Sequence, residues 1–300
     1  MSDVALARDA LRAYDIDVVD CEPAAQAFNT VFGVDARDGS RYALRVGSEL
    51  RIHADGCEEV EAAWVNELHA AGLPVARVLP ARDGTFVVDV GARRCLLFEW
   101  VAGQRLRDDP RPELVRAAGA LTARVHEHGA GYLRKEPAGA LRGDRVLTFR
   151  VPNRLGDLQP RYGTVLLDAV ERAQRTIDAL WRDPPHSPHL LHGDVNLGNV
   201  LVDGAALTLI DFQDLFWGFE VQDVVIATVS LPHRDAFRSG YESVRAWPDA
   251  DPSIIAALEA ARHLNILNFG LAGNRPRLEE VVARHAEPIV TWMARGASRA

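Results

Sequence analysis

The chain has 300 residues, of which 48% are hydrophobic and 25% are charged, and its formal net charge is −8. This composition is ordinary for a globular protein, and the length allows one large domain or two modest ones. The acidic charge argues against a general nucleic-acid-binding protein, which normally has a basic face, and would suit a cationic small molecule. The first residues have no apolar signal core and no apolar run could span a bilayer, so we expect a cytoplasmic protein without membrane contact.

Cysteine and lysine are both scarce. Cys21, Cys57 and Cys95 are far apart and form no C-x-x-C pair, which predicts buried thiols rather than a zinc site or a disulfide framework. The chain has a single lysine, Lys135. Any role that usually falls to a buried lysine must therefore be filled by an arginine or left empty.

The first hundred residues predict strands around one helix. Residues 27–35 and 41–46 are rich in Val, Phe, Tyr and Leu and are joined by a turn containing Gly, which indicates a β-hairpin. Residues 55–71 follow a helical period, with apolar side chains on one face and acidic ones on the other. Two more strands are expected at 86–90 and 94–100.

The rest of the chain is predicted to be mainly helical. Residues 113–128 form the first of these helices, and residues 129–157, with Gly, Pro and scattered Arg, predict a long irregular connection. Strands followed by helices indicate an α+β fold, with residues 1–100 as an N-terminal lobe and residues 101–300 as a C-terminal lobe. Further helices are predicted at 162–181, 220–231, 252–269 and 276–294.

Polar residues surround a second predicted hairpin, formed by residues 199–202 and 206–210. Asp194 precedes its first strand, Asn199 begins that strand, and Asp211 follows the second strand. In an antiparallel hairpin the start of one strand lies beside the end of its partner. Asn199 and Asp211 are therefore expected to lie close together.

These side chains offer the hard oxygen ligands that Mg²⁺ prefers, and such a site often includes phosphate oxygens. Asp194 could accept a hydroxyl proton or orient an attacking oxygen. Each residue taken alone fits a turn former. The joint pattern of H-G-D-x-N-x-x-N, a buried strand and D-F-x-D favours a functional site.

This segment resembles the aminoglycoside phosphotransferase and choline-kinase-like family, distant relatives of the protein kinases. Residues 192–199 match the family's catalytic loop, H-G-D-x-x-x-x-N, and Asp211 with Phe212 matches its metal-binding D-F. The resemblance implies a two-lobed, protein-kinase-like fold with a small strand-rich N-lobe and a larger, mainly helical C-lobe. It also implies that Asp194 is the catalytic base and that Asn199 and Asp211 hold the metal.

Weaker similarities extend the resemblance over most of the chain. Asn29 lies in a segment similar to the family's first nucleotide-binding hairpin. Arg45 occupies the strand that usually carries a phosphate-binding lysine, and Glu61 lies on the helix that supplies its acidic partner. Glu99 and Val101 lie in a segment similar to the hinge that contacts adenine through backbone groups. Arg45 departs from the pattern, but its planar fork could grip phosphate and Glu61 together.

The resemblance implies an ATP- and Mg²⁺-dependent phosphotransferase that moves the γ-phosphate to a hydroxyl group of a small molecule. An aminoglycoside, an amino alcohol or a homoserine-like compound would fit, and the sequence selects neither the acceptor nor the oligomeric state. Asp214 and Glu220 fit either acceptor-binding acids or helix caps.

Three other functions are compatible with parts of the pattern. A protein Ser/Thr kinase of the same fold would use the same residues, and a nucleotide-binding pseudokinase would account for Arg45. A metal-dependent hydrolase is disfavoured, because the chain has no H-x-x-E-H or H-E-x-x-H motif.

Overall fold

The computed structural model describes residues 2–133, 135–273 and 277–297, with side chains described to residue 295. Strands dominate its first third and helices dominate the remainder, which confirms the predicted α+β fold. Within these ranges no helix combines the length and the apolar character needed to cross a membrane.

From residue 2 to Glu99 the chain forms a sheet with two helices. The elements are α1 Asp3–Leu11, β1 Val18–Gln26, β2 Thr30–Ala36, β3 Arg41–Val46, α2 Cys57–Ala70, β4 Val78–Leu79, β5 Val88–Val90 and β6 Arg93–Glu99. The strands pair antiparallel in the order β1-β2-β3-β6-β4, and β5 also pairs with β6. The sheet ends one residue before the expected lobe boundary, and the division into 1–100 and 101–300 stays a prediction.

Helix α1 and strand β1 have no counterpart among the sequence predictions. The side chain of Ser2 caps α1 by accepting the N–H of Ala5, and Leu6 and Leu11 are buried against the sheet. Strand β1 contains Pro23 and is mostly exposed, as an edge strand is. It therefore lacks the alternation of apolar and polar residues by which a half-buried strand is recognised.

Beyond Glu99 the described residues form mainly helices and short strands. The elements are β7 Gln104–Arg105, α3 Pro112–Tyr132, β8 Leu141–Arg142, α4 Gln159–Tyr162, α5 Val165–Arg182, β9 His189–Leu191, β10 Val200–Asp203, β11 Ala206–Leu209, β12 Phe216–Gly218, α6 Glu220–Thr228, α7 Arg234–Glu242, α8 Pro252–Ala272 and α9 Leu278–Ala297. Strands β11, β10 and β7 form one small sheet, and β8, β12 and β9 form another. The predicted hairpin is therefore confirmed as β10 and β11, while α7 was not predicted.

Helix α2 packs against the segment that follows the β10–β11 hairpin. Trp64 is buried, and its ring meets Phe212 edge to face with the ring centroids 5.5 Å apart. Leu68 and Leu197 belong to the same buried apolar cluster. This core joins α2 to residues 197–212, the segment that contains the β10–β11 hairpin. It thereby fixes the position of Glu61, which lies one turn before Trp64 on α2.

The close packing of α3 against α7 predicts that glycine-to-alanine substitutions at two positions of α3 change the free energy of unfolding in opposite directions. A Cβ at Gly119 would lie 2.0 Å from the carbonyl oxygen of Phe237, so Gly119→Ala should lower the free energy of unfolding by about 3 kcal/mol. A Cβ at Gly131 would meet no described atom within 4 Å, and Gly131→Ala should raise it by about 0.5 kcal/mol. Urea unfolding measures both, and equal effects would contradict this packing.

Candidate active site

The loop before the β10–β11 hairpin has an irregular backbone that side chains hold in place. Gly193 has φ +84°, and a Cβ there would lie 1.9 Å from the carbonyl oxygen of Asp214, so the position requires glycine. His192 Nε2 lies 3.1 Å from the carbonyl oxygen of Ile210, and its Nδ1 accepts the N–H of Asp194 at 3.2 Å. The imidazole therefore braces the loop on both sides.

A buried carboxylate on α6 anchors the same loop. Asp223 accepts the backbone N–H groups of His192 and Gly193, each at 3.1 Å, and its Oδ2 also lies 3.1 Å from His126 Nε2. Burial alone would raise the pKa of Asp223, but the hydrogen bond and charge of His126 and the N–H of Gly193 hold it below its usual value. Asp223 thus has a structural role.

The hairpin register brings Asn199 and Asp211 together, as predicted. Val200 pairs with Leu209, and the N–H of Ile210 donates to the carbonyl oxygen of Asn199 at 2.9 Å. Asn199 Nδ2 donates to the carbonyl oxygen of Asp194 at 3.0 Å and to its carboxylate at 2.8 Å. Because the amide nitrogen is occupied in this way, Asn199 Oδ1 is the atom left to act as a ligand.

Arg45 and Glu61 form the buried ion pair that their positions predicted. The two terminal nitrogens of the Arg45 guanidinium donate to the two carboxylate oxygens of Glu61. The bond from Nη1 to Oε1 is 2.8 Å long. Both side chains are almost fully buried, and the guanidinium carbon lies 5.3 Å from the ring centroid of Phe98. A planar fork bound at both ends is held more firmly than a single ammonium would be.

Asp211 lies between this ion pair and the catalytic loop. Its backbone is left-handed, with φ +66°, and its Oδ1 is 3.8 Å from Arg45 Nη1. Desolvation raises the pKa of Asp211 to about 7, the negative charges of Glu61, Asp214 and Asp194 add to the rise, and Arg45 opposes it. The carboxyl group therefore sits where a bound cation would favour its ionised form.

One cleft of about 650 Å³ lies between the N-terminal sheet and the catalytic segment. All eight residues to which the resemblance gave a catalytic, metal-binding or nucleotide-binding role line this cleft. They are Asn29, Arg45, Glu61, Glu99, Val101, Asp194, Asn199 and Asp211.

Backbone hydrogen bonds narrow what the expected hinge can offer to a ligand. The N–H of Glu99 donates to the carbonyl oxygen of Arg77 at 2.9 Å, and the N–H of Trp100 donates to the carbonyl oxygen of Arg41 at 3.3 Å. The N–H groups of Glu99 and Trp100 are therefore already bonded, and the carbonyl of Glu99 and the backbone of Val101 are among the groups left for a ligand.

Comparison with known proteins identifies the family. The model of a phosphotransferase enzyme family, APH, matches residues 21–262. The chain belongs to this family. It is therefore a phosphotransferase, as the catalytic-loop pattern implied.

Named relatives of this phosphotransferase are small-molecule kinases. A homoserine kinase from Methylobacillus flagellatus is 26% identical over 263 residues, which cover 79% of this chain and 77% of the relative. An amicoumacin kinase from Bacillus subtilis is 24% identical over 199 residues, which cover 63% of this chain and 57% of the relative.

Solved structures share the fold of the phosphotransferase at low sequence identity. An amicoumacin kinase in complex with AMP-PNP and Ca²⁺ has a TM-score of 0.78 and 19% identity, covering 98% of this chain and 94% of that one. A microcompartment-associated aminopropanol kinase has a TM-score of 0.73 and 23% identity, covering 97% and 96%. These likenesses confirm the predicted protein-kinase-like fold.

Two basic side chains of the phosphotransferase contact acidic residues of the cleft without having been predicted. Arg262 of α8 forms an ion pair with Asp194 Oδ1, and His53 Nε2 lies 2.7 Å from Asp214 Oδ1. The signal for Arg262 in the sequence is its place in a row of polar residues three positions apart, with Asn265 and Asn268, on a mostly apolar helix. Both asparagines hydrogen-bond to the irregular segment between α3 and α4.

The structure shows the contacts of several residues whose roles the sequence left open. Asn196 braces the loop, because its side chain accepts the N–H of Gly198 at 2.8 Å and donates to the carbonyl oxygen of Asp194 at 3.1 Å. Asp214 faces the cleft, whereas Glu220 lies in a separate cluster behind the catalytic loop. Asn29 donates to Gln213 Oε1 at 2.6 Å and accepts the N–H of Ser48, so its amide links the two sides of the cleft.

The raised pKa of Asp211 predicts that Asp211→Asn stabilises the metal-free protein at high pH. The folded state binds this proton more tightly than the unfolded chain, whose aspartate titrates near 3.8, so ionisation costs stability as the pH rises from about 4 to about 7. Asparagine removes that cost and tolerates the left-handed backbone. Because half of the Asp211 side chain is exposed, water screens its charge, and we expect Tm to rise by only about 2 °C at pH 8 and to be unchanged at pH 4.

The matched control is Asp203→Asn, in the exposed turn of the same hairpin. Thermal melts with EDTA at both pH values provide the measurement. A shift for Asp211→Asn that is independent of pH would contradict the electrostatic explanation.

Proposed function

We propose that this phosphotransferase moves the γ-phosphoryl group of ATP to a hydroxyl group of a small molecule, with Mg²⁺ as the metal. The observation that carries this proposal is the convergence of two sets of groups on one cleft. The ion pair of Arg45 and Glu61 can position phosphates, and Asp194, Asn199 and Asp211 can position a metal and an alcohol. Phosphoryl transfer requires mainly such positioning and charge neutralisation.

The donor set of the proposed metal site fits a hard divalent cation. Asp211 offers a carboxylate that faces the cleft, and Asn199 offers its amide oxygen because its amide nitrogen is bound to Asp194. Mg²⁺ takes such oxygen ligands together with phosphate oxygens, and when bound it would neutralise phosphate charge.

Nucleotide binding would use both edges of the cleft. The carbonyl of Glu99 and the backbone of Val101 are proposed to contact adenine at the hinge edge. Arg45, which Glu61 holds in a fixed orientation, would contact phosphate oxygens with the donors that point towards Asp211. Asn29 would close the cleft over the nucleotide through its bond to Gln213.

Asp194 is proposed to act on the acceptor hydroxyl. Its carboxylate is fixed at one oxygen by Arg262 and at the other by Asn199. Burial raises the pKa of Asp194 while the charge of Arg262 opposes the rise, and a raised pKa favours acceptance of a proton by this carboxylate. As the acceptor oxygen bonds to the γ-phosphorus and the bond to the bridging oxygen of ADP breaks, the hydroxyl proton passes to Asp194.

The proposal predicts that Asp194→Asn separates turnover from nucleotide binding. The amide has one acceptor oxygen, which can keep the contact with Arg262, and Asn199 keeps its bond to the backbone carbonyl of residue 194. The amide cannot take a proton, so kcat should fall by at least about 100-fold. The rise in Tm that requires ATP and Mg²⁺ together should be retained, because ligand binding stabilises by mass action. Coupled ADP release and thermal melts measure the two quantities.

Asp203→Asn serves as the control, since this exposed turn residue should leave both quantities unchanged. If ATP and Mg²⁺ produce no Tm shift in the unmodified protein, the proposed function is wrong. If the shift is present but the unmodified protein forms no phosphorylated product with any acceptor, a nucleotide-binding pseudokinase is the better description.

We further propose that the acceptor carries an amino group near its hydroxyl. Asp214 faces the cleft beside Asp194, and although burial alone would raise its pKa, the hydrogen bond and charge of His53 hold it below its usual value. An ionised carboxylate in this position can bind an ammonium group. Amino alcohols and homoserine-like compounds share this chemistry, which agrees with the names of the homoserine and aminopropanol kinases that the chain resembles.

Asp214→Asn should then weaken binding of the acceptor far more than binding of ATP. A charge-assisted hydrogen bond contributes about 1.5–3 kcal/mol, so KM for an amino alcohol should rise roughly 10- to 150-fold while KM for ATP stays within about twofold. A mass-spectrometric product screen over amino alcohols, homoserine, aminoglycosides and sugars first identifies the acceptor. Equal losses for acceptor and ATP, or a best acceptor without an amine, would contradict this assignment.

A further inference from the structure

A second group of potential metal ligands lies behind the catalytic loop, outside the cleft. His186 and His189 precede and begin strand β9, and Glu220 begins helix α6. One ligand atom from each lies within 4.8 Å of the others. Two imidazoles and one carboxylate form a ligand set that the phosphotransfer chemistry does not use.

His189 has a buried nitrogen atom that lacks a hydrogen-bond partner among the described residues. It is 3% exposed, and its Nε2 makes no hydrogen bond within the part of the chain that the structure describes. Glu220 Oε1 lies 3.6 Å from this Nε2, which is too far for a hydrogen bond. A buried polar atom without a partner is costly, and a bound cation would satisfy it.

Glu220 supplies negative charge at the same point. Its Oε1 accepts from Arg245 Nη2 at 2.7 Å and lies 3.6 Å from His189 Nε2, while its Oε2 lies 2.6 Å from His186 Nε2. Arg245 therefore occupies Oε1, the carboxylate oxygen nearer to His189, while Oε2 is directed to His186. The side chain of His186 is 41% exposed, which gives solvent access to the cluster.

We propose that His186, His189 and Glu220 bind one divalent transition-metal ion of the Zn²⁺ class. Neutral imidazoles and a carboxylate suit Zn²⁺ and Co²⁺, whereas Mg²⁺ prefers oxygen ligands alone. Three protein ligands leave a coordination position for water, as the exposure of His186 permits. The cysteines gave no zinc signature, and the relevant signal in the sequence is the pair of histidines three positions apart.

The location links this site to the base of the catalytic loop. Strand β9 runs from His189 directly into His192, and Asp223 lies one turn after Glu220 on α6. A metal ion would therefore tie together the strand and the helix that hold the loop backbone. The expected consequence is a more stable protein, because the ligand binds the folded state.

The test uses the whole protein, without nucleotide and with excess Mg²⁺ to occupy the acidic cleft. Calorimetric titration should show one Zn²⁺ per chain, and Tm should rise by about 5 °C when Zn²⁺ is at about 100 times its Kd. Co²⁺ should give visible d–d absorption that Zn²⁺ removes. Absence of Zn²⁺ binding, or its suppression by Mg²⁺, would overturn the proposal.

His186→Ala is the variant to compare, because the residue is partly exposed and precedes the buried strand. Its affinity for Zn²⁺ should fall at least tenfold, and the Co²⁺ absorption should change. His69→Ala removes an exposed histidine on α2 and should bind like the unmodified protein. Unchanged binding in His186→Ala would place the metal elsewhere and overturn the assignment.

Discussion

The arrangement of the active site depends on one buried carboxylate, that of Asp223. The catalytic loop has an irregular backbone, so its N–H groups cannot be satisfied by a regular ladder, and burying them without partners would be costly. Asp223 accepts two of them. His126 contacts the same carboxylate through Nε2 and contacts Tyr241 through its other ring nitrogen. Three helices, α3, α6 and α7, thereby fix a loop that would otherwise have no preferred shape.

The cleft above this loop holds more negative than positive charge. Arg45 and Arg262 each neutralise one carboxylate, and His53 contacts a third. Among the described residues, Asp211 has Arg45 Nη1 at 3.8 Å but no hydrogen-bonded partner, and desolvation raises its pKa to about 7. The excess charge costs stability in the free protein, and a divalent cation bound beside Asp211 would offset it.

Arg45 shows how this chain accommodates the scarcity of lysine. The guanidinium binds both oxygens of Glu61 and lies over Phe98, so one side chain forms the buried ion pair and still has donors directed towards Asp211. The feature that suggested a pseudokinase in the sequence is, in the structure, a complete ion pair in the expected place. Its burial makes the pair a fixed part of the cleft.

The sequence by itself determined the family, the α+β fold and the meeting of Asn199 with Asp211, because a hairpin register places nearby residues by local geometry. It also indicated Arg45 and Glu61, but only through the resemblance. Only the tertiary structure brought Arg262 to Asp194 and His53 to Asp214, across 68 and 161 positions of the chain. It likewise gathered His186, His189 and Glu220. Such contacts depend on how helices pack, and packing is set by the whole core rather than by any local pattern.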